Sequence, residues 1–379
     1  MEKFRDRFFF IILLAVWGGL LLWNLVSPSQ TFSESENRTL ASFPTFTWST
    51  FVDGTYMDSI NTYLNDHFAG RSAWVTGQTV TQYAQGKRVI NGVYIGRHAM
   101  FAQLPLPDND IVQANVQGIN DFTEQMGLPA YVMLVPSAAA VQPEGLPWLA
   151  ESWDQAAFIR ETNALFGPQV TALDVASTLA EHRDEYIYYR TDHHWTTYGA
   201  FLAYRDYCAA RGLPVPSLGA YDPVILSDNF LGTLHSKTGY PFMQPDVMEL
   251  YQQGEATGYM LNDGNTVQEF DSPYFDDFLG KKDKYSYFFG QLELYATIYT
   301  NAPTDKKLLV IKDSYSHCMM PMLLNEYSEI RMVDMRIFDP QTDYDNFVAE
   351  AANYDEILFL YSVEVFSNGL STTGKLRNY

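Results

Sequence analysis

Cysteine is scarce in this sequence, which has only Cys208 and Cys318 among 379 residues. Two cysteines are too few for the framework of a small disulfide-stabilised domain, and their spacing does not tell whether they pair. Cys208 lies in an apolar helical pattern, so we expect it to be buried. The fold must therefore depend on a hydrophobic core, which a composition of 47% hydrophobic residues can supply.

Basic residues are also few. Lysine and arginine number 24 against 45 acidic residues, which gives a formal net charge of −21. Nucleic-acid binding requires clustered basic side chains that neutralise phosphates, so this balance argues against a nucleic-acid partner. Aromatic residues, in contrast, make up 15% of the chain. Most of them belong in a core, but exposed aromatic faces can also pack against sugar rings.

An uncharged, mostly apolar run extends from Phe8 to Val26, and basic residues precede it. At about 1.5 Å per residue, a helix of this length just spans the hydrocarbon core of a bilayer, and the basic flank belongs on the cytoplasmic side. A cleaved signal peptide is the alternative, but the run is long for one and no clear cleavage site follows. We predict a single membrane anchor within residues 1–30 and an extracytoplasmic domain over residues 31–379.

Most of the remaining chain alternates between strand and helix patterns. We predict an amphipathic helix over Phe51–Arg71 that ends near His67, and a hairpin over Val89–Phe101. Further strands and helices follow in alternation, which is typical of an α/β fold with a parallel sheet. The predicted strands are 130–137, 170–175, 307–312, 329–335 and 356–363, and the predicted helices are 111–125, 158–166, 198–210, 319–324 and 347–354.

Residues 217–304 depart from this pattern. Glycine, aspartate, tyrosine and phenylalanine are frequent there, and apolar runs are short. We predict an irregular insertion or lid, because long loops within a compact domain tend to be functional.

A dense group of functional residues lies in the stretch 188–199. Asp192 and His194 place a carboxylate and an imidazole on one loop, where an acid can orient a base. His193 is expected to point elsewhere and to pack or hydrogen-bond. Arg190 and Trp195 flank the group and are candidates for contacting a substrate, although Trp195 can equally belong to the core. The loop from 232 to 239 is a further candidate for positioning.

The best candidate nucleophile, Ser314, lies far downstream. It follows the predicted strand 307–312 and precedes a predicted helix, so its hydroxyl is expected at the carboxyl end of the sheet, where α/β proteins bind ligands. Tyr315, its neighbour, is a third candidate for contacting a substrate. The alternative is that Asp313, Ser314 or Ser316 only caps a helix. A serine nucleophile needs a base and the base needs an orienting acid, which His194 and Asp192 would supply.

Four strings in the sequence resemble the bacterial DHHW family: Glu36–Leu40, Asn65–Arg71, Tyr189–Trp195 and Lys312–Ser316. That family is similar to the SGNH-hydrolase-like O-acetyltransferases of exopolysaccharide export, including the alginate acetyltransferases. The resemblance extends over nearly the whole chain after the anchor. It implies a three-layer α/β/α fold with a parallel central sheet. It also implies a triad of Ser314 as nucleophile, His194 as base and Asp192 as orienting acid, although Lys312 replaces the glycine of the SGNH pattern.

The resemblance further implies a reaction, an acceptor and a partner. The reaction is transfer of an acetyl group to a hydroxyl of a cell-envelope or secreted polysaccharide, without a cofactor or metal. Because acetyl-CoA is cytoplasmic, the acyl donor would be relayed by a multi-pass membrane acyltransferase.

Three alternatives remain open from the residues. A carbohydrate esterase would use the same triad with water in place of the sugar hydroxyl. A metal-dependent phosphoesterase would use Asp192, His193 and His194 together with Asp108 and Asp110, a donor set that suits manganese. A non-catalytic envelope scaffold would keep the residues without the chemistry.

Overall fold

The structure is a computed structural model that describes residues 2–28, 30–264, 266–290, 293–369 and 373–377. The chain divides into two compact units. The first comprises Met1–Lys87 and Ser236–Phe242, and the second comprises Arg88–His235 and Met243–Tyr379.

The first unit is mainly helical. Its helices are α1 (Glu2–Val26), α2 (Trp48–Val52), α3 (Thr55–Asp66) and α4 (Arg71–Ala84), and its strands are β1 (Phe32–Ser33) and β2 (Arg38–Thr39). Within α1, residues 6–24 are long and apolar enough to cross a membrane. This helix is a candidate membrane anchor or signal sequence.

The predicted helix over Phe51–Arg71 is wrong as a single element. The chain breaks between α2 and α3 because Gly54 adopts a left-handed φ of 87°. His67 is the C-cap of α3, as predicted, and its Nε2 lies 2.9 Å from the carbonyl oxygen of Ala41.

Two of the strings that suggested the DHHW family meet in this unit. Arg38 donates to both oxygens of Asp66 at 2.6 and 3.0 Å, and Arg71 donates to Glu36 at 2.6 Å. The hydrogen bonds from Arg38, acting against the effect of burial, lower the pKa of Asp66 to about 2. These residues therefore join the two strings through ion pairs.

The second unit contains the central sheet. The strands from Arg88 onward are β3 (Val89–Ile90), β4 (Val93–Ile95), β5 (Met100–Ala102), β6 (Ala130–Val135), β7 (Val170–Leu173), β8 (Val224–Phe230), β9 (Asp246–Leu250), β10 (Ala256–Asn262), β11 (Val267–Phe270), β12 (Tyr295–Thr300), β13 (Lys307–Lys312), β14 (Glu329–Val333) and β15 (Glu356–Ser362). In the part of the chain that the structure describes, the central sheet has eight strands in the order β11-β10-β12-β14-β13-β15-β6-β7.

The prediction of a parallel sheet holds for one side only. Strands β14, β13, β15, β6 and β7 run parallel, whereas β11, β10 and β12 pair antiparallel. The antiparallel strands lie in the segment predicted to be irregular. Only residues 263–266 separate β10 from β11, with Gly264 at φ 94°, and so short a connection permits only antiparallel pairing.

Helices cover both faces of this sheet. Those from Arg88 onward are α5 (Asn109–Met126), α6 (Ala138–Val141), α7 (Gln155–Asn163), α8 (Val175–Glu181), α9 (Thr197–Ala210), α10 (Thr233–Thr238), α11 (Pro340–Ala351) and α12 (Val363–Ser367). Alternate residues of β13 face opposite cores: Leu308 and Val310 pack with α9, whereas Leu309 and Ile311 pack with α5 and α11. The result is an α/β fold with helices on each side of the sheet. Cys208 and Cys318 are buried free thiols.

One predicted helix did not form. Residues 319–324 were expected to be α-helical, but they make a short 3₁₀ turn, Met320–Leu323, with Pro321 inside it. Proline lacks the N–H that an α-helix needs and clashes with the preceding turn, which explains the difference. Also, the predicted hairpin over Val89–Phe101 is a three-stranded sheet of β3, β4 and β5.

Candidate active site

The two functional stretches of the sequence meet in the second unit. His194 Nε2 lies 2.7 Å from the hydroxyl of Ser314, and His194 Nδ1 lies 2.6 Å from Asp192 Oδ1. A neutral imidazole in this network donates from Nδ1 to the carboxylate and accepts the serine proton at Nε2. Asp192 and His194 are buried, whereas Ser314 is partly exposed, so the serine is the member of the group that a ligand can reach.

Both carboxylate oxygens of Asp192 accept hydrogen bonds from backbone or side-chain donors. Its Oδ1 accepts from the His194 amide at 3.0 Å, and its Oδ2 accepts from the amide and hydroxyl of Thr233 at 2.7 and 3.0 Å. Burial raises the pKa of this carboxyl, but His193, His194 and the hydrogen bonds outweigh that effect and hold the pKa well below its ordinary value. Asp192 is therefore ionised at neutral pH and fixed toward His194.

Gly232 allows this close approach. A Cβ at this position would lie 2.3 Å from both Asp192 Cβ and Asp192 Oδ2. The candidate loop at 232–239 thus begins with a residue that needs to be glycine for steric reasons, followed by Thr233, which binds the carboxylate.

The loop that carries the imidazole, residues 188–195, is called here the base loop. A bridge between Tyr188 and Trp195 closes it, and the Tyr189 amide donates to the His194 carbonyl at 3.2 Å. The buried carboxylate of Asp246 accepts from the amides of Arg190 and Thr191 at 2.8 and 2.9 Å. The backbone on the approach to Asp192 is therefore fixed by an acid more than fifty residues downstream.

The serine lies on a turn, residues 312–316, that we call the serine turn. Asp313 caps it by accepting from the Tyr315 amide at 2.9 Å, and its other oxygen accepts from the amide and hydroxyl of Ser362 at 2.8 and 2.7 Å. Asp313 thus takes the capping role and leaves Ser314 free for His194. Because only one 3₁₀ turn, Ser314–Ser316, follows the strand, a long helix dipole does not contribute.

The amide of Ser314 is available as a hydrogen-bond donor. It has no protein acceptor among the described residues. An unpaired N–H on the same residue as the hydroxyl is the arrangement that can stabilise the oxyanion that develops on an acyl carbonyl oxygen when Ser314 Oγ attacks it.

The three predicted substrate contacts fall in different places. Arg190 is half-buried, with its guanidinium 4.3 Å from the centre of the Tyr186 ring and 3.7 Å from Asp246 Oδ1. Trp195 and Tyr315 are buried and bind the base loop to the serine turn. The indole N–H of Trp195 donates to the Tyr315 carbonyl at 2.8 Å, and the Tyr315 hydroxyl donates to the His193 carbonyl.

This placement corrects the expectation for Trp195 and Tyr315. Their relative exposures are 0% and 4%, because both side chains are used to join the two loops. They shape the site from behind, and a substrate cannot reach Trp195 in this structure.

Tyr285 belongs to the site, although nothing in the sequence singled it out. Its ring stacks on His194 with centroids 4.1 Å apart and an angle of 13°, and its hydroxyl donates to the Ser314 carbonyl at 3.3 Å. Burial raises its pKa well above the ordinary value, so it stays neutral. It lies in the segment predicted to be an irregular insertion, where only long-range folding brings it to the imidazole.

Lys312, which replaces the glycine of the SGNH pattern, turns away from Ser314 into a buried polar group. Its Nζ lies 2.9 Å from His317 Nε2 and 3.6 Å from Asp334, which also binds Arg336 at 2.6 Å. Burial and the Lys312 charge lower the pKa of His317 well below its usual range. His317 is therefore neutral, and its ring lies parallel to Tyr285 with centroids 6.1 Å apart.

A second lysine lies closer to the base loop. Lys282 Nζ is 3.1 Å from His235 Nδ1, and the His235 amide donates to the Thr191 carbonyl at 3.0 Å. Burial lowers the pKa of Lys282 to about 8, with the Asp192 charge opposing the shift. Burial and the Lys282 charge lower the pKa of His235 to about 4. At neutral pH this pair brings one positive charge to the segment next to Asp192.

Three groups in the site are also potential metal ligands. Ligand atoms of Asp192, His193 and His194 lie within 4.8 Å of one another. However, both ring nitrogens of His194 already bind protein groups, and His193 Nδ1 lies 2.7 Å from Thr233 Oγ1. Asp108, the proposed extra ligand, caps α5 by accepting from the amides of residues 110 and 111. A metal would therefore have to displace existing hydrogen bonds.

The chain matches one protein family and is similar to several solved structures. The family model described as DHHW protein matches residues 36–127 and 131–333. No curated protein matched the chain. Among solved structures, a DHHW family protein from Eubacterium siraeum is similar at 24% identity with a TM-score of 0.65, covering 76% of this chain and 95% of that one. PatB1 of Bacillus cereus, solved with a sulfonyl adduct, is similar at 17% identity with a TM-score of 0.61, covering 73% and 97%.

Proposed function

The chain belongs to the DHHW family, and we propose that it is a membrane-anchored, extracytoplasmic O-acyltransferase. In this proposal it transfers acetyl groups to hydroxyls of a cell-envelope or secreted polysaccharide through a Ser-His-Asp triad on an SGNH-like fold. The observation that carries the proposal is the continuous hydrogen-bonded series from Asp192 through His194 to Ser314, with contacts of 2.6 and 2.7 Å. The family resemblance to O-acetyltransferases supports the choice of reaction.

In the first half-reaction Ser314 Oγ attacks the acyl carbonyl carbon of the donor, and its proton passes to His194 Nε2. The bond between the carbonyl and the leaving group breaks, and His194 returns the proton to that group. Asp192 holds the imidazole in the required tautomer and stabilises its charged form. The Ser314 amide supplies one donor to the oxyanion.

The second half-reaction transfers the acyl group. A sugar hydroxyl gives its proton to His194 and attacks the acyl carbon, and Ser314 leaves as the hydroxyl after taking the proton back. Arg190 and Lys282 are the charged groups near the base loop that we assign to positioning the acceptor. The acyl donor is assigned to a multi-pass membrane acyltransferase, and α1 is assigned as the anchor that keeps the chain beside it.

A carbohydrate esterase is the second candidate, because Ser314 is partly exposed and water can reach an acyl group on it. The two functions differ only in whether water or a sugar hydroxyl accepts the acyl group. The same experiment therefore decides between them.

The test incubates the full chain in detergent with 4-nitrophenyl acetate and a β-linked oligosaccharide such as cellopentaose. Acetylated oligosaccharide and free acetate are measured in the parent, in Ser314→Ala and in Ser316→Ala. Ser316 is a matched control because its buried hydroxyl donates to the Asp313 carbonyl at 2.9 Å on the same turn. We expect acetylated sugar with the parent and the control, and none with Ser314→Ala. Acetate alone would favour the esterase, and equal turnover in all three proteins would contradict both functions.

A further inference from the structure

An apolar face in the first unit is largely exposed in the part of the chain that the structure describes. It is formed by Phe46, Trp48, Phe51, Val52, Met57 and Leu64, and is called here the aromatic face. Relative exposures reach 73% at Trp48, 81% at Val52 and 58% at Leu64. Among the described residues of α2 and α3, only Asp66 is buried. Neither α2 nor α3 therefore contributes a described apolar side chain to a hydrophobic core.

The sequence of α3 is nevertheless that of a helix with one buried side. Met57, Ile60 and Leu64 recur at helical spacing, and polar residues such as Asp58 and Thr62 occupy the other side. Helices of this length are marginal in water unless their apolar side is covered. The loop before α3 covers part of it, since Phe46 packs edge-on against Tyr56 with centroids 5.2 Å apart. The remaining side chains of the aromatic face are exposed and available for contact with another surface.

The contacts between the end of α1 and the end of α3 indicate what that other surface is. Asn24 Oδ1 accepts from the Ala69 amide at 2.9 Å, and the Trp23 ring lies against Gly70, where an added Cβ would be 2.8 Å from it. Ala69 and Gly70 follow the C-cap of α3. The apolar segment of α1 ends at Asn24. If this segment spans a bilayer, the end of α3 is held at the depth of the lipid headgroups.

The charge of residues 43–65 indicates which kind of membrane contact this segment can make. Between residues 43 and 65 the sequence contains Asp53 and Asp58 but no lysine or arginine. Attraction to anionic lipid therefore cannot hold this segment to a membrane. Aromatic and aliphatic side chains that settle between headgroups and acyl chains can do so, and tryptophan and tyrosine are enriched at that depth.

We infer that α2 and α3 lie along the outer surface of the bilayer, with the aromatic face inserted into the boundary between lipid headgroups and acyl chains. This inference rests on the proposed function only in taking α1 as a membrane anchor. It gives the chain a second membrane contact that does not depend on a protein partner.

The experiment places a spin label at single introduced cysteines in the full chain, reconstituted at one copy per phosphatidylcholine nanodisc. The sites are Val52→Cys on the aromatic face, Thr62→Cys on the polar side of α3 and Leu14→Cys in α1. All three native side chains are exposed in the structure. The parent protein controls for labelling of the buried Cys208 and Cys318. Collision rates with oxygen and with a water-soluble nickel complex report the depth of each label.

We expect the Val52 label to lose most nickel collisions and to gain oxygen collisions relative to the Thr62 label. The size of both differences should be unchanged when anionic lipid is added. A Val52 label as accessible to nickel as the Thr62 label, with the Leu14 label inside the bilayer, would overturn the inference and leave the anchor intact. A Leu14 label accessible to nickel would overturn the anchor itself. Protection of Val52 only with anionic lipid would contradict the apolar basis of the contact.

Discussion

The base loop and the serine turn carry the two halves of one site, but they are held in different ways. The serine turn is fixed to its own sheet, since Asp313 binds Ser362 at the end of the neighbouring strand β15. The base loop depends on residues far along the chain, because Asp246 accepts hydrogen bonds from its backbone and Thr233 donates to its carboxylate. We therefore expect substitutions near residues 232–246 to displace the base and to leave the nucleophile in place.

The largest expected effect tests the base loop directly. In Asp192→Asn the carboxylate that accepts from His194 Nδ1 is replaced by an amide of similar shape. We expect kcat for acyl transfer to fall by about 10⁴-fold, because the imidazole loses its orientation and the stabilisation of its charge. Circular dichroism checks that the fold is kept. A decrease of less than about tenfold would remove Asp192 from the proposed triad.

Gly232→Ala tests the dependence of the base loop on a distant segment. The added methyl cannot fit 2.3 Å from Asp192, so the loop or the carboxylate has to move. A displacement of about 1 Å costs roughly 10²-fold in rate, which steady-state kinetics would measure. Gly219→Ala is the matched control, since a Cβ there meets nothing within 4 Å. If both variants behaved alike, the steric account of Gly232 would be wrong.

Tyr285→Leu removes the ring stacked on His194. Aromatic contacts of this kind are worth about 0.5–1.5 kcal/mol, so we expect kcat to fall by up to about tenfold. Tyr285→Phe keeps the ring and loses only the hydroxyl, and should retain most of the activity. An equal loss in both variants would show that the hydroxyl bond to the serine turn matters more than the stack.

Ser362→Ala tests the serine turn through stability. The variant leaves one oxygen of the buried Asp313 carboxylate with only its backbone donor, and it also removes the hydroxyl that caps α12 by accepting from the Val365 amide at 3.3 Å. We expect the free energy of unfolding to fall by about 1–3 kcal/mol, measured by chemical denaturation in detergent. Ser177→Ala is the control, because Ser177 also donates to an aspartate, Asp174 at 2.7 Å, but on an exposed helix end. Equal losses would mean that burial of the Asp313 carboxylate carries no weight.

The smallest expected effect concerns metal. Because both nitrogens of His194 are bonded to protein groups, incubation with a chelator should leave acyl transfer unchanged. Manganese added back should likewise have no effect. Loss of activity with the chelator and its recovery with manganese would instead favour the phosphoesterase alternative.

Part of this site could be predicted from the sequence alone. Asp192 and His194 stand two residues apart, and Ser314 follows a strand with a clear apolar pattern, so each had a local signal. The alternation of strands and helices likewise predicted the parallel side of the sheet. Local patterns suffice to predict an element whose apolar residues recur with the period of a helix or a strand.

The features of the site and of the sheet that could not be predicted depend on contacts between residues far apart in the sequence. Nothing near Tyr285 or Thr233 indicates that one stacks on the imidazole and the other binds Asp192, because those contacts exist only after the chain has folded. The antiparallel strands lie in a segment with short apolar runs, where pairing partners cannot be assigned from periodicity. Pro321 was a local signal against a helix, but the apolar run around it outweighed that signal in the prediction.

Ser314 as the nucleophile can be tested by intact-mass spectrometry of the full chain after incubation with an activated acetyl ester, followed by peptide mapping. A phenylmethylsulfonyl fluoride arm provides a second probe of the same hydroxyl. We expect one acetyl or one sulfonyl group on Ser314 of the parent protein, and no adduct on Ser314→Ala. The role of Ser314 as nucleophile predicts this result. An adduct on another residue, with full ester turnover in Ser314→Ala, would contradict it.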